Sequence, residues 1–409
     1  MRRLLLLNFL ILSELYYPHV GGAEYATYLY AKLLSKAGFE VTVITNRFGN
    51  EPAVSRDDNV TVYRLPLFKS ISGFKYSVLL RVDALFSGFM RKMIKKADVV
   101  YIPRFWFAGG LIAKALGKPV IIHLHDYIPS CSLAILYDIS KRAICESGSA
   151  CSMRCVYSSE KLKGNSLLWT MESVFLNSTI GRYLGKLVGL ADVIICVSKL
   201  QREKVVGNNP TLLNKTLVIY NPLPEVSFSP VQGNSYGYFG GMNYIKGFLT
   251  LYGATRLASQ EFLIKPKIHV TNFPFKMKLK KSLSNLGFIV HERVEREIFE
   301  KIYSNVSTTI VPSLWHEPWP YVVVEALIKG RYLIASKVGG IPEQVEKCKG
   351  VALCEPGDIR QLAEAMSLVN DLSRETIVDW GAKNREIFLQ RFNNETSIRN
   401  LIKVCEQVN

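Results

Sequence analysis

Glu317-Pro318-Trp319-Pro320-Tyr321-Val322-Val323-Val324-Glu325 sets two carboxylates eight residues apart where a strand gives way to a helix. Just upstream, Thr308-Thr309-Ile310-Val311-Pro312-Ser313 predicts a strand ending in a Pro/Ser loop. Downstream, Val322 to Leu327 and Ile328 predict a helix closed by Gly330. A second strand at 332–336 follows, then a loop carrying Gly339, Gly340 and Glu343. Two successive βα loops of a parallel sheet thus bring Glu317, Glu325, two glycines and Glu343 to the carboxyl ends of strands, where open α/β sheets bind ligands. Glu325, between three valines and Ala326-Leu327-Ile328, is expected to be buried, and a buried carboxylate needs hydrogen-bond partners. Sugar and ribose hydroxyls suit that need.

The same alternation extends in both directions. Strands are predicted at 4–12, 41–45, 60–65, 99–102, 120–125, 193–197 and 217–220, with helices at 24–37, 108–116 and from 198. Strands separated by helices imply βα units in a parallel sheet. Residues 221–234 are rich in Pro, Gly, Ser and Asn and read as a connection. Beyond it, strands are predicted at 236–239, 267–270, 288–290 and 308–311, with helices from 248 and 295. The expected fold is α/β, with two Rossmann-like doubly wound domains facing a central cleft. They span 1–225 and 233–390, with a linker at 226–232 and a helix in 391–409 packing back toward the first domain.

A chain of 409 residues, 48% apolar, suffices for two cores. Its net charge is +17, and 28 basic against 16 acidic residues fall in 1–225. No nucleic-acid-binding motif accompanies this field, so no nucleic acid partner is expected. An anionic membrane face or phosphate-linked substrates fit it better. Residues 77–97 combine Leu79, Leu80, Val82, Leu85, Phe86, Phe89, Met90, Met93 and Ile94 with Arg91, Lys92, Lys95 and Lys96. This predicts a basic amphipathic helix, lying either on a bilayer or on the core. The apolar start reads as a first strand rather than a signal peptide, because it lacks a small-residue cleavage site and runs into Tyr16-Tyr17-Pro18. The expected location is the cytoplasm, at the inner face of the cell membrane.

Three further loops carry candidate chemistry. After the first strand, Gly21-Gly22-Ala23-Glu24 opens a helix whose N–H groups and dipole suit an anion. His123 and His125 share one strand face, with Asp126 opening the next loop. A third metal ligand at recognisable spacing is missing, so His125 reads as a polar contact to a substrate hydroxyl or phosphate, or as a core histidine. After the connection, Gly240-Gly241-Met242-Asn243-Tyr244-Ile245-Lys246-Gly247 places a lysine at a helix start, a point charge for a phosphate.

Taken in order, these pieces resemble family 4 glycosyltransferases, retaining enzymes of the GT-B fold that use nucleotide sugars. The likeness runs through Gly21-Gly22-Ala23-Glu24, His125-Asp126, Val197-Ser198, Asn221-Pro222, Gly240 with Lys246-Gly247, Pro312-Ser313, Glu317 to Glu325, and Ala335 to Glu343. The resemblance implies that Glu325 holds the donor ribose, Glu317 lies near the transferred sugar and Lys246 neutralises the diphosphate. It implies that Gly21 and Gly22, with Gly339 and Gly340, line the donor, and that His125 contacts the sugar near the reacting carbon. An arginine usually beside the lysine is replaced by Gly241 and Met242, and Arg293 is the candidate substitute. Pro320 and Trp319 stand where the family has a glycine and a smaller aromatic. The implied reaction is front-face transfer with retention, from a nucleoside-diphosphate sugar to a lipid-linked or polysaccharide acceptor. No Asp-x-Asp triplet is present, so no cofactor or divalent metal is expected for catalysis. A GT-B-shaped binding protein and a nucleotide-sugar isomerase are the competing readings. Cys131, Cys145, Cys151 and Cys155 cluster in an insertion at 127–165. They suit either one structural metal or disulfides, and spacing does not choose between them.

Overall fold

The computed structural model describes residues 7–19, 21–67, 82–145, 153–271, 277–292 and 296–408. Two compact units result, Met1–Leu223 with Asn393–Asn409, and Pro224–Phe392.

The first unit is built on strands β1 (Asn8–Leu12), β2 (Glu40–Asn46), β3 (Val54–Asp57), β4 (Val60–Leu65), β5 (Val99–Ile102), β6 (Val120–Leu124), β9 (Val193–Cys196) and β10 (Thr216–Val218), with a separate small hairpin of β7 (Tyr137–Asp138) and β8 (Ala143–Ile144). The main sheet is ordered β10-β9-β6-β5-β1-β2-β4-β3. All its pairs are parallel except β3 with β4. The period of two along β1 fills both faces. Leu10 and Leu12 join one core with Ile102, Ile122 and Ile194, while Phe9 and Ile11 join the other with Tyr30, Tyr101 and Ile121. Each such side chain contributes about 1.5–3 kcal/mol when fully buried. The helix Asn394–Val408 belongs to this unit, with Leu401, Val404 and Cys405 in the second core. Asn394 fixes its start, accepting from Leu223 N at 2.6 Å and donating to Leu223 O at 3.1 Å.

Three features depart from the sequence expectation. Residues 1–6 and 68–81 lie outside the described residues, and the helix expected over 77–97 appears as Val82–Leu85 and Gly88–Lys96. Met90 and Ile94 are buried in the core while Arg91, Lys92, Lys95 and Lys96 are exposed, so part of that apolar stripe serves the core, while Phe86 and Phe89 are 61% and 37% exposed. The antiparallel β3 and the β7–β8 hairpin were not expected. Neither were two helices, Met153–Leu162 and the 22-residue Leu167–Val188.

The second unit carries β11 (Ser235–Tyr238), β12 (Ile268–Val270), β13 (Phe288–Val290), β14 (Val306–Val311), β15 (Tyr332–Ser336) and β16 (Val351–Cys354). Their order is β13-β12-β11-β14-β15-β16, all parallel. The chain runs outward from β11 to β13, then returns to β14 on the other flank. The carboxyl ends of β11 and β14 therefore bound the topological switch point of this sheet.

Candidate active site

Lys246 follows β11 and Glu317 follows β14, so the switch point brings them together. Lys246 Nζ donates to Glu317 Oε1 at 2.6 Å, and Ser313 Oγ donates to the same oxygen at 2.7 Å. Glu317 is 4% exposed, and these two donors are what make its burial tolerable. Lys246 Nζ also lies 5.2 Å from the centre of the Trp315 ring. The loops are tied backbone to backbone, Leu314 N donating to Ile245 O at 2.8 Å. Gly247, at φ +80°, caps the helix Phe248–Glu261, and a Cβ there would lie 1.7 Å from Pro312 O.

The loop after β15 closes the other side. Gly340 N donates to Glu317 O at 2.7 Å, and Gly339 N donates to His316 Nδ1 at 3.2 Å. Gly339 sits at φ +58°, and a Cβ there would be 2.0 Å from Glu317 O and 2.5 Å from Glu317 N. Only glycine permits this approach. Beneath the pair, the Tyr238 hydroxyl donates to Gly241 O at 2.9 Å, and burial, then the Glu317 charge, push its pKa up. Glu325 differs from expectation. It lies on the helix Tyr321–Ile328 and is only partly buried, whereas Glu317 is the sealed carboxylate. On this helix Val323 and Val324 point to other faces than Glu325 does, while Val322, three residues back on its own face, is only partly buried like it. Arg293 lies outside the described residues.

The first unit has its own switch point, between β1 and β5, and sequence reasoning missed what stands there. Arg104, just after β5, donates through Nε to Glu14 Oε1 at 2.7 Å and through Nη1 to Glu24 Oε1. Glu14 is fully buried, and burial raises its pKa against the pull of Arg104. Burial alone would lower the Arg104 pKa, but Glu24 and Glu14 outweigh it and raise it. Gly21 precedes the helix Gly22–Lys36, and a Cβ there would be 2.2 Å from Glu24 Oε2. The glycine therefore makes room for a carboxylate of its own helix. Single charges after strands carry little signal until the strand order is known.

His125 and His123 stack at 4.6 Å between ring centres. His123 Nδ1 shares a 2.6 Å hydrogen bond with the Tyr101 hydroxyl. His125 is partly buried as a residue, but its ring Nε2 is sealed and unsatisfied. Burial, then the Arg104 charge, lower its pKa to about 3, so its ring is neutral at ordinary pH. Among the described residues no group of three His, Cys, Asp or Glu side chains is placed to hold a metal ion. Cys131 and Cys155 are buried, Cys145 is partly buried, and Cys151 lies outside the described residues.

The chain as a whole has counterparts among known proteins. The sequence profile described as Glycosyltransferase Family 4 matches residues 20–225, and that described as Glycosyl transferases group 1 matches 233–371. The chain is 23% identical over 382 residues to a human protein named as a subunit of phosphatidylinositol N-acetylglucosaminyltransferase, covering 88% of this chain and 67% of that protein. Its fold resembles sucrose-phosphate synthase of Thermosynechococcus elongatus, at TM-score 0.69 and 18% identity over 98% of both chains. It also resembles HepE of Anabaena, solved in complex with UDP and glucose, at TM-score 0.63 and 18% identity over 97% and 99% of the two chains. The fold is GT-B, and the chain belongs to glycosyltransferase family 4 and is a glycosyltransferase.

Proposed function

We propose that the chain transfers a sugar, with retention, from a nucleoside-diphosphate sugar to a lipid-linked or cell-surface glycan. The observation that carries this reading is the Lys246–Glu317–Ser313 cluster under the Gly339–Gly340 loop, at the switch point of the second sheet. The leaving nucleoside diphosphate gathers negative charge, and stabilising it is the main catalytic task. Lys246 supplies the positive charge beside the N-terminus of the helix Phe248–Glu261. Glu317, held through Ser313 and its own backbone, orients Lys246 and offers its carboxylate to sugar hydroxyls. Glu325 takes the ribose, and neutral His125 hydrogen-bonds the sugar near the reacting carbon. In the step itself the bond from the sugar carbon to the diphosphate oxygen breaks and one to the acceptor oxygen forms. The acceptor proton passes to the departing phosphate oxygen, and no divalent metal is required.

The relatives support the substrate classes. HepE was solved with UDP and glucose, and the human relative is named for transfer to phosphatidylinositol. With the positive field of residues 1–225, they favour an acceptor held at an anionic membrane, met from the cytoplasm. Among the described residues no helix is long and apolar enough to cross one.

Incubation with a panel of radiolabelled nucleotide sugars and a lipid extract tests this. Label moving into a glycolipid or polysaccharide is the expected result. Binding without transfer or hydrolysis points to a binding protein, and interconversion of the donor sugar without acceptor points to an isomerase.

A further inference from the structure

The helix Leu167–Val188 is amphipathic in the wrong sense for a helix on a protein in water. Its inward residues include Thr170, Ser173 and Asn177, all buried. Its outward face carries Leu168 (86% exposed), Met171 (56%) and Phe175 (66%) at helical intervals, with exposed Glu172 and Thr179 beside them and Tyr183 (56%) two turns further on. The inward side is satisfied by polar contacts. Asn177 Nδ2 donates to Ser173 O at 2.8 Å, and buried Glu160 of the neighbouring helix accepts from Lys163 at 2.8 Å and Asn165 at 2.6 Å. The neighbouring helix Met153–Leu162 adds Met153 and Leu162, 66% and 58% exposed. Scattered exposed apolar residues are ordinary, but a cluster of large ones over buried polar residues marks a face built for an apolar medium.

Charge decides which medium. Exposed Arg154, Lys161 and Lys163 lie on the neighbouring helix and the turn after it, and Lys186 near the far end of the long helix; among the described residues of the hairpin the exposed acid is Glu172, beside Leu168 and Phe175. Like charges at both ends disfavour a second copy of this chain and suit phosphate headgroups. The helix carries this cluster over about 12 Å, from Leu168 to Phe175 at 1.5 Å per residue, two turns able to lie flat in the interface. Its far end is fixed: Leu184, Leu187 and Val188 sit in the first core, and a Cβ on Gly185 would be 3.2 Å from Pro129 O.

We propose that the Met153–Leu162 and Leu167–Val188 hairpin is an interfacial docking element that lays its apolar stripe into an anionic lipid surface. The proposal deepens the reading of a membrane-held acceptor and rests on it for its biological purpose, though not for its test.

The test is co-sedimentation of the full chain with vesicles of phosphatidylcholine, alone or with one third phosphatidylglycerol. The expected result is binding to the anionic vesicles, at least tenfold weaker for the double variant Leu168→Ser/Phe175→Ser. Brominated lipid should quench tryptophan fluorescence of the unaltered chain, and Trp169→Phe should remove most of that quenching. Vesicle binding that is absent, unchanged in the double variant, or quenched equally after Trp169→Phe overturns the proposal. So does a dimer in solution that the double variant dissolves. Donor hydrolysis should be unchanged in the double variant. A chain that binds vesicles through this stripe yet transfers no sugar refutes the proposed function alone.

Discussion

Gly339 is where backbone geometry and chemistry meet most closely. Changing it to alanine imposes a left-handed conformation on a residue with a Cβ, costing roughly 1–2 kcal/mol. The new Cβ would stand 2.0 Å from Glu317 O and 2.5 Å from Glu317 N, and backbone cannot swing aside as a flexible side chain can. Relief requires parting the two loops, which breaks the Gly340 N to Glu317 O hydrogen bond, worth about 1 kcal/mol. The total is about 3 kcal/mol, or roughly 6–12 °C in the melting of the unit that carries it. Gly357→Ala is the matched control. Its φ is +83°, but its Cβ would meet nothing nearer than Leu314 Cδ2 at 3.5 Å, so only the strain of about 1–2 kcal/mol remains. Both variants should be followed by thermal melting and by calorimetric titration with whichever of UDP, GDP, ADP or TDP binds best. Gly339→Ala should lose about tenfold or more in nucleotide affinity, and Gly357→Ala almost none. Equal stability and equal affinity in the two variants would refute the idea that Gly339 holds Glu317 in place.

Other consequences follow from the same contacts. Lys246→Ala should lower turnover about a hundredfold or more, with a stability loss of about 1–3 kcal/mol, because Lys246 is one-third exposed but buried Glu317 keeps only Ser313 of its two donors; steady-state kinetics and urea unfolding read the two separately. Arg104→Met leaves Glu14 and Glu24 without their shared cation and should cost about 3 kcal/mol, checked by urea unfolding of the first unit. His125 titrates near 3 in the folded chain and near 6.5 when unfolded. Between those values the unfolded chain binds the extra proton, so falling pH removes stability and none is lost above about 6.5. Unfolding at pH 7 and pH 5 should show the unaltered chain losing up to about 1.4 kcal/mol per pH unit more than His125→Asn.

What the sequence made legible was the alternation of elements. The strand expected at 332–336 is β15 residue for residue, because a central parallel strand is a continuous apolar run bounded by breakers. The Lys246 and Glu317 loops were legible for the same reason, as punctuation after such runs. Glu325 was misjudged because adjacent residues in sequence do not share a helix face, and the buried Val323 and Val324 said little about its surroundings. Arg104 and Glu14 needed the strand order, since only the crossover from β4 to β5 beside β1 brings them together. The helix Leu167–Val188 was hidden because its apolar residues fall on both sides, Leu168, Met171 and Phe175 outward and Leu184, Leu187 and Val188 inward, which blurs the single stripe that marks a helix.

The central claim is that the donor diphosphate sits over Lys246 at the switch point of the second sheet. A crystal structure with the tightest-binding nucleoside diphosphate tests it directly. The expected result is the β-phosphate within hydrogen-bond distance of Lys246 Nζ, the ribose hydroxyls on Glu325, and Glu317 still tied to Gly340. A nucleotide seated instead against Gly233, Tyr236, Lys265 and Lys267, in the cavity at the amino-terminal edge of the same sheet, would contradict it.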